Sequence, residues 1–241
     1  MSSKNKIGKN VERDDFFYVL NDNYDEHAEL AIPQYKEMHE EMVRLIMRKW
    51  DRSFPLKLLD LGAGTGKTTE VILRSFPNGE SVAVDKFPEM LNHARVRLDR
   101  FKCRVSYIED DFLDADLGSN YNVCASALAI HHQDALGKQQ IFNKVYNALE
   151  PGGIFVMIDW TTFSDEALNE AAFEIAEEHV RATLTRHPKI MSEWVHHWRN
   201  LNIPSTVEDM LLWLRECGFS HANCISRYYG MAFICAVKSG H

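Results

Sequence analysis

A glycine-rich turn is the feature that most constrains the fold of this chain. The apolar run Leu58–Leu61, which contains one aspartate, leads directly into Gly62-Ala63-Gly64-Thr65-Gly66. Glycine at alternate positions lets the backbone turn sharply and lets a ligand approach without meeting a Cβ atom. Lys67 begins a helical pattern, and the amide N–H groups at a helix start are free to bind polar or anionic groups. The turn therefore predicts a nucleotide-type binding site between a strand and a helix.

The glycine spacing differs from those of two common nucleotide-binding loops. A P-loop requires G-x-x-x-x-G-K-[ST], whose first glycine would fall at Leu61. A dinucleotide fingerprint requires G-x-G-x-x-G, whose third glycine would fall at Lys67. The remaining pattern, D-x-G-x-G-x-G from Asp60, matches neither of these loops. A glycine-rich turn without a ligand is the alternative.

Strand and helix patterns alternate between residues 56 and 160. The predicted strands are Leu56–Leu61, Ser81–Asp85, Arg104–Ile108, Tyr121–Ala127 and Ile154–Asp159. The predicted helices between them are Lys67–Phe76, Pro88–Arg100 and Ala135–Leu149. This alternation is typical of right-handed βαβ units, which build a parallel sheet that binds its ligand at the carboxyl ends of the strands.

The segments on either side complete a single predicted domain. An amphipathic helix runs from Pro33 to about Trp50, and helices at 164–186, 189–200 and 207–217 precede two strands, 224–229 and 231–237, that favour an antiparallel hairpin. The predicted parts are a disordered tail (1–13), a helical cap (14–52), a cofactor-binding core (53–162), a helical lid (163–205) and a C-terminal helix with the hairpin (206–241).

The composition of the chain indicates which kinds of partner it binds and in which cellular compartment it works. The net charge of −8 argues against a nucleic-acid partner, which usually requires a basic face. No stretch approaches the ~20 apolar residues of a membrane span, and the polar N-terminus lacks the apolar centre of a signal peptide. The five cysteines form no C-x-x-C pair. We therefore expect a cytoplasmic protein with reduced thiols and no membrane partner.

Asp85 closes the second predicted strand, 23 residues after Gly62. A carboxylate at this position accepts hydrogen bonds from both ribose hydroxyls of an adenosine, although a helix-capping aspartate is the alternative. Lys86, Phe87 and Met90 follow closely enough to flank the adenine, with a core position as the alternative for Met90. These residues predict adenosine binding without specifying the cofactor.

The order of motifs resembles the class I S-adenosylmethionine-dependent methyltransferases. The pattern from Asp60 is similar to their motif I, and Leu149-Glu150-Pro151-Gly152-Gly153 resembles the bend before their fifth strand. The resemblance implies a Rossmann-like α/β sheet of seven strands with a final antiparallel hairpin, and S-adenosyl-L-methionine as cofactor. It also implies an acidic residue that binds the adenine, Asp111 beside Phe112 or, alternatively, Asp110. The cofactor-binding residues that follow are Tyr35, Asp60, Gly62, Ala63, Gly64, Gly66, Asp85, Lys86, Met90, Asp110, Asp111, Phe112, Ser126 and Ala127.

A closer similarity covers most of the chain. Residues 32–35, 126–132 and 218–233 resemble the carboxy-S-adenosylmethionine synthase branch and its small-molecule relatives. By that resemblance Tyr35 reaches the methionine end of the cofactor, with a core tyrosine as the alternative. The synthases also need an arginine in the helical insert for the added carboxylate. The candidates are Arg181, Arg186 and Arg199, but no motif aligns any of them with the arginine of the synthases. This difference from the synthases argues against a carboxylated cofactor.

His132 and His131 follow the fourth strand, where an imidazole can take a proton from an acceptor O–H or N–H group. We predict His132 rather than His131 as the base, with a structural histidine that only orients the loop as the alternative. We predict no metal site, because the histidine spacing matches no metal motif. The predicted substrate-binding residues are Tyr18, Tyr24, Trp160, Trp194 and Tyr229. The expected function is methyl transfer to oxygen, nitrogen or sulfur of a small molecule. The alternatives are a carboxy-S-adenosylmethionine synthase-like enzyme of tRNA modification and a non-catalytic cofactor-binding protein, and a homodimer is left open.

Overall fold

The computed structural model describes residues 24–240 of the chain. Its strands form one sheet of seven, in the order β3-β2-β1-β4-β5-β7-β6. The strands are β1 (Lys57–Leu61), β2 (Glu80–Asp85), β3 (Val105–Glu109), β4 (Tyr121–Ala127), β5 (Leu149–Trp160), β6 (His221–Tyr228) and β7 (Met231–Val237). Strands β1 to β5 pair in parallel, and β7 is antiparallel to both β5 and β6. The predicted α/β sheet with a final antiparallel hairpin is confirmed.

Helices cover both faces of this sheet. They are α1 (Tyr24–Ala31), α2 (Tyr35–Lys49), α3 (Lys67–Ser75), α4 (Pro88–Arg97), α5 (Ala135–Ala148), α6 (Glu166–Thr183), α7 (Pro188–Asn200) and α8 (Val207–Glu216), with short 3-10 turns at Asp99–Arg104 and Ile130–His132. One apolar core joins α1, α2, α6 and α7 to the sheet, and another joins α5 and α8 to it. Within residues 24–240 no helix has both the length and the apolar content to cross a bilayer.

Two local features differ from the sequence predictions. The helix α1 was not predicted, because it is only eight residues long and its buried side chains include His27. The predicted bend at Pro151-Gly152-Gly153 lies inside β5, which begins at Leu149 and bulges between its pairings Tyr121↔Leu149 and Val123↔Ile154. Gly152 permits the bulge because its φ is +80°.

Gly230 is required by a close approach. It stands in the β6–β7 turn, but the left-handed residue of that turn is Tyr229, with a φ of +49°. A Cβ atom at Gly230 would lie 2.8 Å from Cζ2 of Trp160. The hairpin therefore packs directly on the indole that ends β5.

Candidate functional site

The glycine turn adopts left-handed backbone at each of its three glycines. Gly62, Gly64 and Gly66 have φ values of +64°, +52° and +81°. Asp60 lies beneath the turn, where its Oδ2 accepts hydrogen bonds from the backbone N–H (3.0 Å) and the hydroxyl (2.7 Å) of Thr69. Burial raises the pKa of Asp60 to about 6. Asp60 therefore connects the end of β1 to the first turn of α3.

Asp85 lies at the carboxyl end of β2 and faces the glycine turn. Its Oδ2 accepts the Gly64 N–H at 2.8 Å, and its Oδ1 accepts the Phe87 N–H at 2.9 Å. Burial raises the pKa of Asp85, and these backbone hydrogen bonds oppose that rise. Each carboxylate oxygen has capacity for a further hydrogen bond. Asp85 is thus oriented by the loop and remains able to accept from a ligand.

The loop, Asp85 and the end of β4 line a cavity that is open to solvent, here called the large cavity, with about 840 Å³ of empty space when its mouth is included. Of the residues predicted to bind the cofactor, those that line it are Tyr35, Gly62, Ala63, Gly64, Asp85, Lys86, Met90, Asp111, Phe112 and Ala127. The others, Asp60, Gly66, Asp110 and Ser126, lie outside its wall. Ser126 donates its hydroxyl to the Leu61 carbonyl at 2.9 Å, and Asp110 is exposed.

The two candidates for the adenine-binding acid occupy different positions. Asp111 lines the large cavity beside Phe112, and its Oδ1 accepts the Leu113 N–H at 3.0 Å. The Asp110 carboxylate accepts the Asp111 N–H at 2.8 Å. The geometry therefore favours Asp111 for a contact with a ligand in the large cavity.

A second and smaller cavity, here called the lid cavity, adjoins the first and has about 350 Å³ of empty space when its solvent-open part is included. It lies between the end of β4 and helix α7, and its wall includes Trp160, Trp194 and Trp198. Tyr24, Leu128 and His132 line both cavities. Trp160 and Trp198 stack with ring centroids 5.0 Å apart, and Trp194 packs edge-on against Trp198. The lid cavity is thus an aromatic chamber that opens beside the large cavity.

A carboxylate supports the histidines that follow β4. Asp159 Oδ2 accepts the backbone N–H of His131 at 2.9 Å, and Asp159 Oδ1 pairs with His131 Nδ1. The ring of His132 lies 4.0 Å from that of His131 and 5.2 Å from that of His197, centroid to centroid. His131 therefore lies in the wall of the lid cavity, whereas His132 reaches both cavities.

The remaining predicted residues are dispersed. Tyr24, Trp160 and Trp194 line the lid cavity. Tyr229 is exposed and borders a different cavity with Pro33 and His179. Tyr18 lies outside the described residues. These substrate assignments stay predictions, and the first three share one chamber.

Sequence reasoning missed several residues of the site. Leu128 sits between the two cavities with a φ of +58°, which no sequence pattern indicates for a leucine. Thr68 lines the large cavity, and its hydroxyl lies 3.3 Å from Nε2 of the buried His39. Burial lowers the pKa of His39 to about 4, so this ring is neutral near pH 7. His197 is separated from His132 by 65 positions, so only the folding of the lid brings them together.

Comparison with known proteins agrees with this geometry. The methyltransferase domain family matches residues 58–153. A carboxy-S-adenosyl-L-methionine synthase from Klebsiella pneumoniae (strain 342) is 29% identical over 188 residues, which cover 76% of this chain and 75% of that protein. These similarities support a class I S-adenosylmethionine-dependent methyltransferase. Its cofactor is S-adenosylmethionine, as predicted.

Solved methyltransferase structures share the fold. The structure of PigF with SAH superposes with a TM-score of 0.61 at 20% identity, covering 92% of this chain and 62% of that chain. An O-methyltransferase family protein from Burkholderia thailandensis gives a TM-score of 0.60 at 17% identity, covering 95% of this chain and 71% of that one. The methyltransferase therefore spans less than two thirds of the length of PigF.

Proposed function

We propose that this methyltransferase transfers a methyl group to a small molecule bound in the lid cavity. The observation that carries the proposal is the shared wall of the two cavities, formed by Tyr24, Leu128 and His132. Methyl transfer requires the acceptor atom to lie in line with the methyl group, at a distance of about 3 Å. A compact acceptor in the lid cavity would lie beside a cofactor in the large cavity, because the two share this wall.

The residues of the large cavity fit the cofactor. Asp85 would accept the ribose hydroxyls, Asp111 the adenine amino group, and the glycine turn would lie against the methionine part. When bound, the cofactor supplies a methyl group on a positively charged sulfur, which leaves with the electron pair of the broken bond. Tyr24 and Tyr35 close this cavity from the cap, and burial raises the pKa of both phenols, so they stay neutral.

Polar atoms in the lid cavity indicate the chemistry of the acceptor. Nε1 of Trp160 and Oδ1 of Asn202 are buried and have no hydrogen-bond partner among the described residues. An unpaired buried polar group costs about 1–3 kcal/mol. A substrate that carries both a hydrogen-bond donor and a hydrogen-bond acceptor would pair with these two atoms. The surrounding indoles would exclude water from it. We therefore expect a small polar aromatic or heterocyclic compound, with its nucleophilic atom near His132.

The candidate arginines favour the unmodified cofactor. Arg181 pairs with Glu177, and Arg199 pairs with Glu170 and Glu177 on the outer side of the lid. No arginine in the described part of the chain lines either cavity. A cofactor bearing an added carboxylate would then lack the arginine that the synthases need. Methyl transfer is accordingly preferred over the synthase reaction.

The test is a screen with methyl-labelled S-adenosylmethionine against a metabolite extract and, separately, total RNA. We expect label in a low-molecular-weight product, identified by mass. The control is Asp85→Ala, which should bind the cofactor weakly and produce little labelled product. Label found only in RNA would overturn the proposal. So would a product that is itself a carboxylated form of S-adenosylmethionine.

A further inference from the structure

Three histidines from two separate parts of the sequence converge on the lid cavity. His131 and His132 follow β4, and His197 projects from α7. One ring nitrogen from each lies within 4.8 Å of the others, and all three rings line the cavity. The separation between nitrogens in a tetrahedral zinc site is about 3.3 Å, from bond lengths of about 2.0–2.1 Å. Small side-chain rotations would bring the three nitrogens to that spacing.

A carboxylate orients the first of these rings. Asp159, which is buried, pairs with Nδ1 of His131 and also accepts the His131 backbone N–H. This arrangement leaves Nε2 of His131 to bind a ligand. A metal-binding histidine usually donates the N–H of its second ring nitrogen to such a carboxylate. This hydrogen bond fixes the ring and raises its basicity.

We propose that His131, His132 and His197 bind a divalent transition-metal ion of the zinc class. Three neutral imidazoles suit Zn²⁺, Co²⁺ or Ni²⁺, whereas Mg²⁺ and Ca²⁺ require oxygen ligands. Three protein ligands leave a fourth position open, as in catalytic zinc sites. The spacing in the sequence had predicted no metal, because His197 joins the group only through the packing of the lid.

The open position gives the ion a role that rests on the proposed function. His132 lines both cavities, so an ion on its ring lies at their junction. The acceptor's thiol or hydroxyl would bind the ion and release its proton to water, leaving an anionic nucleophile. A bound cation lowers the pKa of such a ligand, as zinc lowers that of water to about 7. Under this proposal the histidines hold the nucleophile through the ion, and none of them needs to take its proton.

Metal content provides a test that does not depend on methyl transfer. Protein purified without a polyhistidine tag is stripped with a chelator and reloaded with Zn²⁺ or Co²⁺, and metal per chain is measured by mass spectrometry. We expect about one ion per chain and the visible absorption of tetrahedral Co²⁺. His197→Ala should abolish loading, and Asp159→Asn should weaken it about 10–100-fold.

His196 supplies the matched control, because it is adjacent to His197 but exposed, with Nδ1 against the Asn200 amide. His196→Ala should bind as much metal as the wild type. The affinity of each variant for S-adenosylhomocysteine (SAH) should show that it is folded. Equal loading of the His196 and His197 variants, or a wild-type Co²⁺ spectrum of an octahedral aqua ion, would overturn the proposal. If His197→Ala fails to fold, the Co²⁺ spectrum of the wild type decides: a tetrahedral spectrum supports the metal site, and an octahedral one overturns it.

The outcomes separate this proposal from the proposed function. If protein that binds no ion still methylates a small molecule, the metal-site proposal is wrong and the proposed function is supported. A loaded protein that methylates only RNA would overturn the proposed acceptor and leave the metal site standing.

Discussion

Replacing Gly62 by alanine tests whether contact with the end of β4 fixes the glycine turn. A Cβ atom at position 62 would lie 2.2 Å from Cβ of Ala129, whereas non-bonded carbons pack at about 3.5–4.0 Å. The turn or the segment after β4 must therefore move by more than about 1 Å. Such overpacking costs about 1–3 kcal/mol. The left-handed backbone adds about 1–2 kcal/mol for any residue with a Cβ atom. Gly62→Ala should lower the free energy of unfolding by about 2–5 kcal/mol.

Two further variants separate these contributions. Gly64→Ala carries a similar backbone cost, because φ is +52°, but the nearest atoms to its Cβ would be 4.0 Å away. It should therefore cost only about 1–2 kcal/mol. Adding Ala129→Gly to Gly62→Ala removes the clash and should recover about 1–3 kcal/mol.

Urea unfolding without cofactor measures these free energies, and calorimetry with SAH measures the effect on the large cavity. Because Ala129 lines that cavity, the clash should also weaken SAH binding, and the double variant should regain part of the affinity. Equal losses of stability for Gly62→Ala and Gly64→Ala would refute the steric argument. So would a double variant no more stable than Gly62→Ala.

Three further predictions concern the two cavities and their surroundings. Asp85→Ala should weaken SAH binding by about 1.5–3 kcal/mol, the value of hydrogen bonds to a charged group, whereas calorimetry of Asp110→Ala should show affinity within twofold of wild type. Burial lowers the pKa of Lys138 from 10.5 to about 8. The unfolded chain therefore binds more protons between these pH values, and the free energy of unfolding should rise with pH across that window by about 3 kcal/mol relative to Lys138→Met. Parallel curves for the two proteins would contradict this. Trp198→Ala should lower the free energy of unfolding by about 3–5 kcal/mol in urea titrations; a loss below 1 kcal/mol would indicate that the lid opens independently of the core.

The sheet could be predicted because its local signals agree with its tertiary environment. The strands β1, β4 and β7 are buried on both faces, so they are continuous apolar runs whose limits the sequence marks well. The turn glycines mark positions that need left-handed backbone. The start of β5 was predicted later than it occurs, because a bulge permits proline and glycine within a strand.

The large cavity was predictable to a similar degree, and for the same reason. Asp85 ends β2 and Asp111 follows β3 by two residues, and the parallel topology brings these strand ends to the edge of the sheet where the large cavity lies. The choice between Asp111 and Asp110 needed the coordinates, since adjacent residues at a strand end differ in direction and not in chemistry.

The lid cavity could not be predicted, because its wall depends on how α1 and α7 pack. The helix α1 is too short for a periodic signal, and its His27 ring is buried against the ring of His187, 5.3 Å away. Trp194 and Trp198 have the spacing of a helix face, which indicates burial but not a cavity. The approach of His197 to His132 follows from tertiary packing that no spacing rule describes.

The segment after β4 connects the two halves of the site. Ala129 sets the position of the glycine turn through its contact with Gly62, and Leu128, one residue earlier, separates the cavities. The left-handed φ of Leu128 costs about 1–3 kcal/mol, a strain that folded proteins retain chiefly at functional sites. His131 and His132 follow within three residues and face the lid. A displacement at Ala129 therefore alters both the glycine turn and the histidines. We expect variants in this segment to change the affinity for S-adenosylhomocysteine and the rate of methyl transfer together.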